Sequence, residues 1–358
     1  MAKLNWSKVK QPCHVWPVVP VRVRKLLVDP SNPKSGYYPI TGNRKALRKL
    51  GKFSEGVLGT EDHDAGGKAY ALIGPASSGK SWTALHHVSK VLGLTFVDVS
   101  PEFKTADELF AIIQKELEKN GLQLVKQVAS ADQPYDYVLP PCGVFIDEAH
   151  SLAKKLQKGV LLKAIEANDR TLQLSGGVKV STHKVHWLVG TTHFFDLFKP
   201  LRSRFERVKL VSHTKAELAV MAGKANKDIP VEVCERVAHY CRLPREVNDF
   251  IKTLRDYHRS DGGDLLTLVE EVARDNDIDA GGLNAEQVLV LQALKDGPVG
   301  KETLAVVTGL EESELMNEVL PGVMLSTPDM PALVVPSRQG YRLTPAGQTE
   351  LAKRAMAA

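Results

Sequence analysis

Eight consecutive residues, Gly74-Pro75-Ala76-Ser77-Ser78-Gly79-Lys80-Ser81, have the spacing of a phosphate-binding loop. Backbone N–H groups of such a loop, with those at the start of the next helix, cradle a β-phosphate. Lys80 can reach the β- and γ-phosphates, and the Ser81 hydroxyl can hold Mg²⁺. The chemistry implied is that of a nucleoside triphosphate such as ATP. An apolar run, Ala69-Tyr70-Ala71-Leu72-Ile73, precedes the loop, and a helical pattern from Trp82 to Leu92 follows it. That is the strand–loop–helix context the motif needs.

A second stretch, Val144-Phe145-Ile146-Asp147-Glu148-Ala149-His150, is an apolar strand ending in two carboxylates. Asp147 would complete the Mg²⁺ shell with Ser81, and Glu148 would polarise an attacking water. Ligands bind at the carboxyl ends of strands in open parallel sheets, so both acids fall where the loop falls. Leu188-Val189-Gly190-Thr191-Thr192 ends another strand in two hydroxyls, either of which could sense a γ-phosphate. Pro200-Leu201-Arg202-Ser203-Arg204-Phe205 sets two arginines before a further strand. Leu243-Pro244-Arg245-Glu246-Val247 opens a helix with Arg245 in its first turn. A cation there opposes the helix dipole, which points to some other use for it. The candidate nucleotide-binding set is Gly74 through Trp82, with Asp147.

These residues need a scaffold, and the hydrophobic pattern supplies one. Short apolar runs at Ala69–Ile73, Leu94–Val99, Val144–Ile146, Val185–Val189 and Val208–Val211 read as buried strands of a parallel sheet. Helical patterns at Trp82–Leu92, Asp107–Asn120 and Leu152–Glu166 alternate with them, so the fold class is α/β. Thr171–Lys184 alternates residue by residue around Ser175-Gly176-Gly177, the pattern of an inserted β-hairpin. From Thr214 the periodicity is helical, through Lys215–Lys224, Pro230–Cys241, Pro244–Ser260 and Leu265–Asp275. Asp279-Ala280-Gly281-Gly282 reads as a linker. Asn284 and Gln287 then make a capping box. Helical patterns at Lys301–Thr308 and Glu311–Val319 follow, then a β-like stretch from Leu333 to Leu343. Thr344-Pro345 starts a last helix. Three helices and a β wing are the order of a winged-helix module.

Charge is unevenly spread. Residues 1–52 hold twelve Lys or Arg against one acid, Asp29, a charge of +11, so in a chain of +5 the remainder stands at −6. This Pro-rich arm also carries Trp6, Trp16, Tyr37 and Tyr38, a composition that suits nucleic acid as well as it suits a solvated arm. The four cysteines show no metal or redox spacing, and the histidines make no His-x-x-x-His pair beside a Glu. No apolar stretch approaches a membrane span, and the first residues lack an apolar signal core. The expectation is a cytoplasmic protein with reduced thiols and no membrane partner.

The order of motifs resembles that of the AAA+ ATPases and, within them, the RuvB family of Holliday-junction branch-migration motors. Gly297-Pro298-Val299-Gly300 with Thr303-Leu304-Ala305, Glu318-Val319-Leu320-Pro321, and Phe103 through Leu109 are similar to stretches of that family. The resemblance runs from about Ile40 to about Leu351. It implies a basic N-terminal arm at 1–38, a large ATPase domain at 39–212, a helical lid at 213–280 and a winged-helix DNA-binding domain at 281–358. It makes Lys80, Glu148, Thr192 (or Thr191) and Arg204 catalytic, with Thr192 as sensor and Arg204 as a finger reaching ATP on the neighbouring subunit of a ring, a hexamer. Arg245 would read the γ-phosphate from the lid. Ile40-Thr41-Gly42-Asn43 falls where the family has part of its adenine pocket. Arg338 and Arg342 on the wing are the expected DNA contacts. They are needed locally because the chain from Gly282 carries six basic and nine acidic residues.

The implied activity is ATP hydrolysis coupled to DNA translocation in recombination and repair, with a RuvA-like junction-binding partner. The alternative is an ATP-switched loader or transposition-type regulator that assembles on DNA and recruits a partner. Ala76-Ser77-Ser78 departs from the family's Pro-Gly-Leu, Trp82 replaces a small residue, and the Thr171–Lys184 hairpin is short.

Overall fold

The structure is a computed structural model that describes residues 42–58, 67–126, 135–166, 169–226 and 228–357. The basic arm at 1–38 and the Ile40-Thr41 pair lie outside the described residues. Two compact units are formed, one holding Gly79–Leu210 with the chain up to Gly74, the other Pro75–Ser78 and Val211–Ala358.

The first unit is built on a five-stranded parallel sheet of β1 (Ala69–Ile73), β2 (Thr95–Val99), β5 (Cys142–Ile146), β8 (Val185–Thr191) and β9 (Glu206–Lys209), ordered β2-β5-β8-β1-β9. All residues of β5 and β8 are buried, which is why they read as unbroken apolar runs. The edge strand β9 buries only Val208, two residues off the apolar run that marked it in the sequence, and Val211 is exposed. Alternation sends Tyr70, Leu72, Phe145 and Leu188 to one face, against Ala46 and Leu50 of α1 (Arg44–Leu58) and Ala84 of α2 (Lys80–His86). Val97, Val144, Ile146, Trp187 and Val189 go to the other, against Leu109, Phe110, Ile113 and Leu117 of α3 (Ala106–Lys119). A π-helical turn, His87–Leu92, continues α2.

A smaller sheet of β3 (Val125–Lys126), β4 (Tyr137–Val138), β6 (Thr171–Gln173) and β7 (Lys179–Ser181) includes the hairpin expected at Thr171–Lys184. Its tip is tied to the first turn of α3, where Ser175 donates from N (3.1 Å) and Oγ (2.7 Å) to Asp107 Oδ1.

In the second unit four helices, α5 (Lys215–Ala225), α6 (Val231–Tyr240), α7 (Pro244–Asp261) and α8 (Leu265–Asp275), follow a short helix of the first unit, α4 (Lys199–Arg204). They pack Leu218, Val233, Val237, Phe250, Leu254, Val269 and Val272 into one core. Thr214 with Glu217 caps α5, and the Asp264 carboxylate caps α8. A second core joins Val290 and Leu291 of α9 (Ala285–Ala293), Leu304 of α10 (Lys301–Thr308), Leu315, Leu320 and Val323. Strands β10 (Val334–Ser337) and β11 (Gly340–Leu343) pair antiparallel as a wing, and α11 (Pro345–Ala357) follows. The capping box of Asn284 and Gln287 is formed as the sequence suggests.

The Asp-Ala-Gly-Gly stretch is not a slack linker. The Asp279 carboxylate accepts from the N–H groups of Gly281 (2.8 Å) and Leu283 (3.1 Å) and from Arg354 Nε of α11 (2.6 Å). Gly282 has φ +73°, and a Cβ there would sit 2.8 Å from the His239 carbonyl oxygen. Elsewhere in this unit Arg242 donates from Nε to Gly322 O (2.8 Å) and from an η-nitrogen to Pro331 O (3.3 Å). Lys215 Nζ donates to the carbonyls of His239 and Cys241, both at 2.7 Å, while its N–H bonds Asp329 Oδ2 at 2.7 Å. Burial and the charge of Arg242 push the Lys215 ammonium down to about 8. Leu325 and Met330 enter the core of the four helices.

Candidate nucleotide-binding site

Strand order assembles this site. β8 lies between β1 and β5, with Thr191 level with Ile73 and Val189 level with Ile146. The ends of three strands far apart in sequence therefore converge: the start of the loop at Gly74, the Asp147-Glu148 pair, and Thr191-Thr192. A bond from Gly74 N–H to Thr191 O (3.3 Å) extends the ladder past β1. Gly190 makes room for the acid beside it, since a Cβ there would stand 2.4 Å from Asp147 Oδ1.

Within the loop, Ser77 has φ +56° and Gly79 has φ +83°. Ser77 thus holds the left-handed conformation that glycine adopts freely, at a cost to an ordinary residue of roughly 1–2 kcal/mol. Gly79 is the residue before α2, and Lys80 is buried at its first position. Lys80 Nζ donates to Gly74 O (3.2 Å) and lies 3.4 Å from Glu148 Oε1. Ser81 Oγ donates to Asp147 Oδ2 at 2.7 Å. A hydroxyl and a carboxylate side by side are the oxygen donors that Mg²⁺ takes, and so the residues fit that ion. Trp82 is exposed on α2 and packs on the His86 ring, 4.3 Å between centroids.

Glu148 is the second residue of the site with strained backbone, at φ +42°. Its Oε2 accepts from Thr192 Oγ1 at 3.2 Å and Thr192 N at 3.3 Å, and His150 Nδ1 lies 3.1 Å from it. His150 Nδ1 is also 3.1 Å from Thr191 Oγ1, which in turn accepts from His193 N at 3.1 Å. His193 Nδ1 lies 2.8 Å from Thr192 Oγ1, and the two imidazoles pack with centroids 4.9 Å apart. Partial burial lowers the pKa of His150, with the Glu148 charge pulling the other way.

The other expected residues each sit within their own unit. Arg204 closes α4 and is ion-paired with Glu166 Oε1 at 2.9 Å, both side chains about two-fifths exposed. Arg202 lies over the Phe195 ring. Arg245 is exposed in the first turn of α7. Arg338 and Arg342 are exposed on the wing, the first in its turn and the second on β11 opposite Val335. Sequence reasoning passed over His150, His193 and Glu166. The first two are adjacent to motifs it used, at Asp-Glu-Ala-His and Thr-Thr-His; Glu166 carries no local signal.

Residues 70–213 match the family described as ATPase family associated with various cellular activities (AAA). The chain is 33% identical over 199 residues to the Holliday junction branch migration complex subunit RuvB of Prochlorococcus marinus (strain MIT 9303), covering 50% of this chain and 55% of that protein. It thus spans about half the length of that relative. RuvB of Parafrankia sp. (strain EAN1pec) aligns over 331 residues at 28% identity, 87% of this chain and 84% of that one. A Thermotoga maritima RuvB mutant superposes with a TM-score of 0.66 at 21% identity, covering 87% of this chain and 95% of its own. The structure titled Thermotoga maritima RuvB Holliday junction branch migration motor does so at 0.64 and 20%, covering 91% and 98%. These structures share the fold.

Proposed function

For this RuvB-like chain, with an AAA ATPase domain at residues 70–213, we propose an ATP-driven motor that moves DNA at branched junctions. The observation that carries the reading is the convergence of Lys80, Ser81, Asp147, Glu148 and Thr192 at the carboxyl ends of β1, β5 and β8. Lys80 binds the β- and γ-phosphates. Ser81 and Asp147 hold Mg²⁺, which supplies charge neutralisation on the phosphates. Glu148 orients the attacking water and takes its proton. Thr192 reads the γ-phosphate, and Arg245 reports it to the helices that follow.

Arg204 acts in trans. Its bond to Glu166 joins two half-exposed side chains. Such pairs are worth roughly 0–1 kcal/mol, so the guanidinium is readily given up to a neighbouring subunit's ATP. That sharing calls for a self-assembled ring, which we propose is the hexamer of the RuvB-type motors. DNA is met by Arg338 and Arg342, and by the basic arm. The junction-binding partner is of RuvA type, and the site of action is the cytoplasm.

A second reading, an ATP-switched loader that recruits a partner on DNA, is favoured by Ser77 alone. A strained phosphate loop suits ATP binding more than rapid turnover.

The test is hydrolysis measured with duplex, single-stranded and four-way-junction DNA, with strand separation scored on the junction. Junction-stimulated turnover with strand exchange is expected. Slow, DNA-independent turnover with stable DNA-bound assemblies would replace the motor by the loader. Glu148→Gln should keep ATP and lose turnover; normal hydrolysis by that variant would sink the site assignment.

A further inference from the structure

We infer that His150 is a positioning residue for Glu148, fixing which of its carboxylate oxygens faces the reacting phosphate. The inference rests on the reading of Glu148 given above and deepens it. The two oxygens are treated unequally. Oε2 accepts from the hydroxyl and N–H of Thr192 and has His150 Nδ1 3.1 Å away. Oε1 faces only the Lys80 ammonium, at 3.4 Å, among the described residues.

A carboxylate is acceptor-only, so the His150 tautomer beside it carries its proton on Nδ1. The same logic orders the chain beyond: Thr192 Oγ1 donates to Glu148, leaving His193 Nδ1–H to donate to Thr192. His150 also ties Glu148 to Thr191, so the acid's orientation is set from the end of β8 as well as from its own strand.

When a γ-phosphate draws Lys80 away, Oε1 loses its counter-charge while Oε2 keeps its donors. Oε1 is then the more basic oxygen, already aimed at the phosphate side, and it accepts the water's proton. A lone pair on the water oxygen forms the new P–O bond as the bond from the γ-phosphorus to the ADP oxygen breaks and ADP leaves with that electron pair; the water's O–H pair stays on its oxygen and the proton passes to Oε1. Without His150, Oε2 keeps only the two donors of Thr192, and the carboxylate turns more readily about its last torsion, so that both oxygens compete for Lys80.

Two opposite substitutions separate this role from packing. His150→Phe keeps the ring against His193 and loses Nδ1; His150→Asn loses the ring and places an amide N–H near the same point. His150→Phe should lower kcat by about tenfold to a hundredfold, the scale of a misplaced catalytic group, while ATP affinity and KM stay within about twofold and the circular dichroism is unchanged. His150→Asn should recover most of the rate.

Undiminished turnover by His150→Phe, with Glu148→Gln inactive, would overturn the inference and leave the site intact. So would His150→Asn being as slow as His150→Phe. Normal turnover by Glu148→Gln would instead remove the site reading itself, and this inference with it.

Discussion

Acid should unfold the first unit through two buried histidines. His87 starts the π-helical turn after α2, with its ring edge-on to Tyr70 at 5.6 Å and neither ring nitrogen hydrogen-bonded among the described residues. Burial, reinforced by the nearby charge of His186, pushes its pKa down to about 3. His186 on β8 accepts at Nδ1 from Lys68 N–H (3.3 Å), and burial followed by the charges of Arg170 and Lys68 brings it down to about 4. Both start from 6.5 in the unfolded chain. Below that value the unfolded state binds more protons than the fold, so stability falls as pH falls.

At 1.36 kcal/mol per pKa unit, the losses by complete titration are on the order of 5 kcal/mol for His87 and 3 kcal/mol for His186. Domain stabilities are themselves about 5–15 kcal/mol. Near pH 5 the two sites give a slope of about 2–3 kcal/mol per pH unit. Urea unfolding between pH 7.5 and 5, followed by circular dichroism, measures it. His87→Phe keeps the ring on Tyr70 and removes the titration. Its advantage over the parent should grow by about 2 kcal/mol between those pH values. Parallel pH dependences in the two proteins would refute the reasoning, because every other titrating group is common to both.

Two further outcomes follow. Arg204→Ala and Lys80→Ala should each be inactive alone, yet hydrolyse ATP when mixed, since one subunit then offers an intact loop and its neighbour an intact finger; no rescue at any ratio in confirmed co-assemblies would place Arg204 elsewhere. Gly282→Ala meets both a left-handed φ of +73° and the His239 carbonyl at 2.8 Å. It should lower the thermal midpoint through at least about 1–2 kcal/mol of backbone strain, and an unchanged midpoint would show that the Asp279 turn can open without cost.

Much of this was legible locally. A strand with neighbours on both sides and helices on both faces must be apolar throughout, and β5 and β8 announce themselves that way. β9 has one neighbour, so its apolar run misplaced it. Ser77 was suspect because it fills a glycine's place, and its φ of +56° is the conformation that glycine would supply. What sequence could not give was contact at a distance. His150 meets Thr191 only because β8 inserts between β1 and β5. Asp279-Ala280-Gly281-Gly282 has the composition of a flexible joint, and what stiffens it is Arg354, 75 residues on.

That stiffening bears on how a nucleotide signal would reach DNA. Arg242 stands three residues before Arg245, and its guanidinium is held by the carbonyls of Gly322 and Pro331. Glu246 accepts from the N–H groups of Arg242 and Leu243, so the start of α7 is fixed to the same group. Leu333 N–H bonds Val323 O at 2.8 Å, and β10 begins at the next residue, paired with the strand that carries Arg342. The links run through backbone groups and buried or half-buried side chains, and the Asp279 turn adds a further tie to Arg354 of α11. A displacement of the α7 N-terminus is therefore passed toward the wing through these bonds. If Arg245 reads the γ-phosphate as proposed, the four helices and the winged helix are a single lever, and the wing moves with each change of nucleotide state.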